Sequence, residues 1–295
     1  MKIIYLKLFL AAFFWGGTFV AGRSLGGVVH PVDSAFFRFC IAAVLLLIIT
    51  RYREGLSRLS MRQLLAVIAL GATGVMAYNL FFFYGLTSIS AGRASLIIAL
   101  NPVFITLASF IIHKEQIPLR RLSGIIISLA GAIIVITHGD PLSILAEGIG
   151  RGEMLIFGCV LSWTLYSIIG KTTMVGLSPL AAVCYSSVAG AILLFGIAVW
   201  QGNLTEAVHY PFSAWLAITY LGVFGTVLGF LWYFQGIQTI GTPRAAIFIN
   251  FVPVAGVSLA LLVLGETLTW SLLTGGTLVV TGAYLANTAP LSKLK

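Results

Sequence analysis

Charge is scarce in this chain. Asp, Glu, Lys and Arg make up 8% of the 295 residues, hydrophobic residues make up 59%, and mean hydropathy is +1.06. Soluble domains carry about 25% charge, so the solvent implied here is a lipid bilayer. Backbone at that depth must be helical or a closed barrel. The apolar runs are about 18 to 22 residues long, the length of a membrane-crossing helix and about twice that of a barrel strand. The fold class that follows is an all-α polytopic membrane protein.

Other shortages narrow the function. The three cysteines, Cys40, Cys159 and Cys184, sit in separate apolar runs and form neither a metal spacing nor a disulfide framework. His30, His113, His138 and His209 fall in or beside loops, with no His-x-x-x-His or Glu-x-x-His pair. No metal and no cofactor is therefore expected. No Asp-rich prenyltransferase or phosphotransferase motif is present. The longest connections, Thr50–Arg62, Gly139–Arg151 and Gln201–Ser213, leave no room for a catalytic domain, so the chain does not read as an enzyme. The eight acids are Asp33, Glu54, Glu115, Asp140, Glu147, Glu153, Glu206 and Glu266. All lie in loops or within a turn or two of a span end, whereas proton relays place carboxylates deep in the bilayer. Facilitated transport is expected over proton antiport; Na⁺ coupling through backbone carbonyls leaves little trace in a sequence and stays open.

What is there is ten apolar spans, near 5–23, 31–50, 63–86, 92–112, 121–138, 152–171, 179–200, 213–235, 244–264 and 270–289. The first runs on through Trp15-Gly16-Gly17 with no small-residue cleavage pattern, so it reads as a span and not as a signal peptide. The net charge of +9 is distributed for topology and not for nucleic acid. With a cytoplasmic N-terminus, 13 of the 17 basic residues fall on the inner side, which places both termini in the cytoplasm of a plasma membrane (bacterial inner membrane).

The chain is also written twice. A shift of 151 lays Gly74 on Gly225, Arg93-Ala94 on Arg244-Ala245, Pro102 on Pro253, Glu115 on Glu266 and Gly131-Ala132 on Gly282-Ala283. Nearer the N-terminus the shift is 148 and lays Trp15 on Trp163 and Pro31 on Pro179. The change of offset predicts a loop three residues longer between Pro179 and Leu221. The repeats are read as 1–142 and 150–291. Five spans per repeat make the copies insert in opposite orientations. Secondary transporters recurrently use such inverted repeats, with the substrate near the interface of the halves.

Candidate site residues follow from polarity and depth. Arg38 lies about 10 Å along the second span at 1.5 Å per residue. It reads either as a contact for an anionic group or as an anchor that snorkels or pairs with helix carbonyls or Asp33. Its repeat mate is Ser186, so the charge is not part of the symmetric frame. Helix-borne aromatics and amides supply a candidate substrate-binding lining: Trp15, Tyr78, Asn79, Phe82, Asn101, Trp163, Tyr233 and Asn250. Tyr84, Phe230, Trp232 and Gln235 are further candidates. Ordinary core packing is the competing reading for each. A buried amide in lipid needs a partner, and Pro102 and Pro253 each free a carbonyl one turn earlier. Glu115 and Glu266 read as structural staples accepting from the N–H groups of the helix that follows each, with a gating role as the minor alternative. Pro118 and Thr269 suit the starts of those helices. Gly124, Ser128 and Ala132, with Gly275 and Gly282, form small faces for packing within the monomer or in a homodimer.

The pattern Trp15-Gly16-Gly17-Thr18-Phe19, then Pro31 with Arg38-Phe39, resembles the first hairpin of the EamA family in the drug/metabolite transporter superfamily. Ala91-Gly92-Arg93-Ala94, Asn101-Pro102, Lys114-Glu115 and Gly131-Ala132 resemble its fourth and fifth helices. Thr242-Pro243-Arg244-Ala245, Pro253, Gly265-Glu266 and Gly282-Ala283 repeat that pattern. The likeness covers nearly the whole chain, departing at Trp163-Thr164, where no glycine follows, and at Ser186. It implies ten helices in two inverted five-helix repeats around a central cavity, and export or exchange of small metabolites, aromatic amino acids among them. The leading expectation is a neutral or aromatic amino-acid exporter working by alternating access. A translocator of anionic phosphorylated metabolites or nucleotide-linked sugars would need several converging basic residues. A non-transporting membrane scaffold is the alternative of another class.

Overall fold

The structure is a computed structural model, and it describes residues 2–56, 58–113, 119–140, 149–173, 176–240, 245 and 248–288. Among these, ten helical segments correspond to the ten apolar runs. They are α1 (Lys2–Ser24), α2 (Pro31–Arg53), α3 (Met61–Leu86), α4 (Ala91–Ile98 and Asn101–His113), α5 (Leu119–Ile136), α6 (Arg151–Thr173), α7 (Pro179–Gln201), α8 (Phe212–Tyr220, Leu221–Leu228 and Gly229–Ile240), α9 (Phe248–Asn250 and Phe251–Leu264) and α10 (Trp270–Thr288). Local chemistry sets several starts. Pro31 and Pro179 open α2 and α7, where a missing N–H costs nothing. Ser60 and Gln63 form a capping box at α3. Ser178 caps α7, and Thr269 accepts from the Leu272 N–H to cap α10. Seven residues separate Arg53 from Met61 and ten separate Gln201 from Phe212, the second set carrying a 3₁₀ turn at Asn203–His209. That three-residue difference is the one expected from the change of repeat offset.

The contacts reproduce the repeat. α1 packs on α8 and α9, while its mate α6 packs on α3 and α4, so each repeat lays its first helix against the other. Mates α2 and α7 pack together, as do α5 and α10. The last pair shows how the copies are related. Ser128 Oγ donates to the Val279 carbonyl, its own mate 151 residues on, at 3.2 Å. On either side Gly131 meets Gly275 and Gly124 meets Gly282. Rising numbers on α5 oppose falling numbers on α10, so the pair is antiparallel about a local two-fold at Ser128–Val279. This is an inverted repeat. The small-residue faces are therefore used inside the monomer. A Cβ on Gly131 would lie 2.6 Å from the Gly275 oxygen, which explains why both positions are glycine.

Four irregularities add to the sequence reading, in which Gly71, Gly74, Gly222 and Gly225 could supply bends or close approach. α3 and α8 carry mated π segments, Gly71–Ala77 and Leu221–Leu228. α4 breaks at Ala99–Leu100, just before Asn101-Pro102, and α9 begins with a 3₁₀ turn that ends at Asn250. Pro102 thus sits in the first turn of a restarted helix and Pro253 in the first turn of Phe251–Leu264, where proline is tolerated. Interrupted helices in corresponding positions of two inverted repeats mark where transporters place their sites.

Candidate functional site: an aromatic cavity between the repeats

The mated irregularities converge on one cavity. Its aromatic wall comes from Trp15 and Phe19 of α1, Tyr78 and Phe82 of α3, Trp163 of α6 and Phe230 of α8. Trp15 and Trp163, mates in the repeat, meet edge to face with ring centroids 6.4 Å apart. Trp163 also packs on Tyr78 at 5.5 Å and on Phe230 at 5.5 Å. The mated glycines Gly74 and Gly225 allow this closeness, for a Cβ on Gly225 would lie 2.6 Å from Thr18. Trp15 Nε1 donates to the Gly225 carbonyl at 2.8 Å, inside the π segment of α8. Such a segment breaks the regular i→i−4 ladder and frequently marks a functional site.

The polar end is Arg38. It is 5% exposed and makes no ion pair; Nε donates to Thr226 Oγ1 and Nη1 to Asn79 Oδ1, each at 3.0 Å. Both acceptors owe their positions to the π segments. Thr226 lies within that of α8 and donates to Leu221 O at 3.1 Å, while Asn79 follows that of α3 and donates to Val75 O at 2.7 Å. Of the anchors in the sequence reading, Arg38 is buried and does not snorkel, its acceptors are side-chain oxygens and not helix carbonyls, and Asp33 accepts instead from Tyr210 at 2.6 Å. Burial and then Asp33 itself push the Tyr210 hydroxyl above the ordinary phenol value, so it stays a donor and ties the start of α2 to the α7–α8 connection.

The two helix breaks complete the lining. Asn101 is 3% exposed, lines the cavity, and its Oδ1 has no hydrogen-bond partner. Ile98 and Ile249 are repeat mates, each four residues before a proline, and both line the cavity. Their carbonyls are the ones that Pro102 and Pro253 leave without an i+4 donor. Space open to the centre of a water molecule is about 50 Å³, room for a few waters.

Of the sequence candidates, Trp15, Arg38, Tyr78, Asn79, Phe82, Asn101, Trp163 and Phe230 line this one cavity. Tyr233 does not; it packs behind Trp15 at 5.2 Å. Asn250 also stands back from the lining, between Ile249 and Val252, with both side-chain polar atoms buried and unpartnered. Tyr84, Trp232 and Gln235 lie elsewhere, against His30, Phe14 and Lys7. Thr18, Phe19, Ile98, Ile249 and Val252 line the cavity without having been lining candidates, and Thr226 is a partner of Arg38 that the sequence did not offer. The four-residue spacing to proline marks the two isoleucines; nothing in the sequence marks Thr226, because its role depends on the π segment. No group of three His, Cys, Asp or Glu side chains comes together to hold a metal among the described residues.

Glu266 corrects an expectation. It takes the N–H groups of Ala91 at 2.7 Å and Gly92 at 3.0 Å, capping α4 of the other repeat and not α10. Arg93 beside them pairs with Glu153 of α6 at 3.2 Å and contacts His138. At the end of the bundle away from the termini, α4 is thus fastened to both repeats. The opposite end is tied by Gln63 Nε2 to Gly176 O at 3.1 Å, by Ser178 to Glu54, and by Lys7 Nζ to Gln235 Oε1 at 3.0 Å. Glu115, Pro118, Lys114 and Thr242-Pro243-Arg244 lie outside the described residues.

An inverted pair of five-helix units enclosing an aromatic cavity at mated helix breaks defines a polytopic membrane transporter. The sequence matches the EamA-like transporter family over residues 2–137 and again over 150–288, and the chain belongs to that family. It is 31% identical to YyaM, an uncharacterized transporter of Bacillus subtilis (strain 168), over 96% of this chain and 93% of that protein. A probable terminal-alkyne amino-acid exporter of Streptantibioticus cattleyicolor is 24% identical over 81% of this chain and 78% of its own. A solved crystal structure superposes with a TM-score of 0.65 at 21% identity, covering 97% of this chain and 98% of its own, a likeness of fold.

Proposed function

We propose that the protein exports neutral amino acids, aromatic ones foremost, and related amphipathic solutes, by facilitated alternating access without chemical change. The observation that carries this reading is the cavity's composition: an aromatic wall, one guanidinium, an unpaired amide oxygen, and no acidic side chain among its described lining residues. A flat hydrophobic solute with a few polar atoms matches such a wall. A proton-coupled mechanism commonly uses a carboxylate or a histidine within reach of the solute, and neither is among the described lining residues. The exporter name carried by the Streptantibioticus relative supports an amino-acid substrate. The basic residues favour cytoplasmic termini in a bacterial inner membrane, and 1–142 and 150–291 serve as the two moving repeats.

The test is flux of labelled phenylalanine, tryptophan and leucine into liposomes holding the purified protein, with and without imposed pH and Na⁺ gradients. Equilibrative flux, fastest for the aromatic solutes and indifferent to either gradient, is expected. Accumulation driven by a pH gradient alone overturns the facilitative mechanism. Absence of flux for every amino acid overturns the substrate class.

A further inference from the structure

Among the described lining residues Arg38 is the only charged group, and it stands on neutral acceptors alone. A guanidinium buried in a bilayer without a counter-charge is expensive, and a hydrogen bond donated to a neutral oxygen does not cancel its charge. Its Nη2 makes no hydrogen bond among the described residues, and the side chain lines the cavity. The cavity therefore offers one fixed positive charge with a free donor. Asn101 offers the complement, an acceptor oxygen that is buried and unpartnered at the break of α4.

We propose that the cavity reads its solute by the carboxylate, with Arg38 as anchor and the Asn101 carboxamide oxygen accepting from the solute's amino group. An aromatic α-amino acid then satisfies both poles, the matching carboxylic acid satisfies the charged pole, and the matching amine meets Arg38 as a like charge. The order of recognition is amino acid, then acid, then amine. Arg38 is thereby a specificity-determining residue and not only a tie between α2, α3 and α8. The inference rests on the amino-acid reading above.

Three probes that share one phenethyl unit separate the poles: L-phenylalanine, 3-phenylpropionate without the amino group and phenethylamine without the carboxylate. Their binding is measured by calorimetry on purified protein in nanodiscs, for wild type, R38Q, R38K and N101A. In wild type, phenylalanine binds most tightly, phenylpropionate follows, and phenethylamine binds at least about tenfold more weakly than phenylpropionate. R38Q removes the preference for the acid over the amine. N101A narrows the gap between phenylalanine and phenylpropionate. Phenethylamine binding as tightly as phenylpropionate overturns the proposal, as does R38Q weakening all three probes equally, the mark of a merely structural arginine. Should R38Q fail to fold, R38K and the wild-type ranking decide in its place. Failure of all three probes to bind wild type overturns it too. Carboxylate-selective binding without amino-acid flux leaves the anchor standing and removes the exporter reading, so the two ideas fail separately.

Discussion

At the scale of the residue, the cavity concentrates interactions that elsewhere serve packing. Trp163 touches Trp15, Tyr78, Tyr166 and Phe230, so its ring is the hub of the aromatic wall. Trp163→Ala is expected to abolish phenylalanine flux. The cost in stability is about 3 kcal/mol, reduced where the existing cavity lets neighbours relax. Asn101→Ala removes an acceptor that has no protein partner, so flux falls while the thermal midpoint in detergent barely moves. Normal transport in both variants would sink the site assignment. Thr226→Val is a subtler case. It deletes one acceptor of Arg38 and a bond within the π segment, so weaker binding is expected with a stability loss of about 1 kcal/mol. These variants are read by liposome flux and by melting in detergent side by side.

At the scale of the element, much was legible and some was not. Apolar length located the ten helices, because hydropathy records the medium directly. The breaks in α3, α4, α8 and α9 were not located. A π segment is one extra residue in a turn, favoured here by close approach to α2 and α7, and no local residue pattern specifies it. The cap of α4 by Glu266 is likewise a contact between repeats, invisible to a reading that paired each acid with the helix next in sequence. Small faces were legible as faces but not as a pair. Once α5 and α10 are known to cross at Ser128–Val279, Gly131→Val becomes a test of that crossing. Its new atoms must push into the Gly275 carbonyl and Val279 backbone, an overpacking cost of about 1–3 kcal/mol. Gly196→Ala, where a Cβ meets nothing within 4 Å, is expected to leave stability unchanged or raise it by about 0.5 kcal/mol. Equal melting of the two variants would mean that the helices do not approach as described.

At the scale of the whole molecule, alternating access requires each end of the bundle to open in turn, yet here both ends are tied and the cavity has room for only a few waters. The two ends are not held alike. Away from the termini the ties run to the first turn of α4, through Glu266 on two backbone N–H groups and Arg93 on Glu153, and α4 also carries the break beside Asn101. A short segment between a clamp and a break can swing as a unit, taking Ile98 out of the cavity wall. Glu266→Ala therefore loosens that end, where Arg93–Glu153 and Tyr210–Asp33 still hold, and leaves the other end unaltered. A cysteine at Ile98, in a background where Cys40, Cys159 and Cys184 are replaced by alanine, reports the change. An impermeant maleimide applied from the side opposite the termini is expected to label it slowly when Glu266 is present. Labelling several-fold faster is expected with Glu266→Ala, and no acceleration from the terminal side. Since the clamp amounts to about 1 kcal/mol of charge-assisted capping, the populations shift by roughly fivefold. Equal acceleration from both sides would show Glu266 to be a general staple of the fold and not a gate.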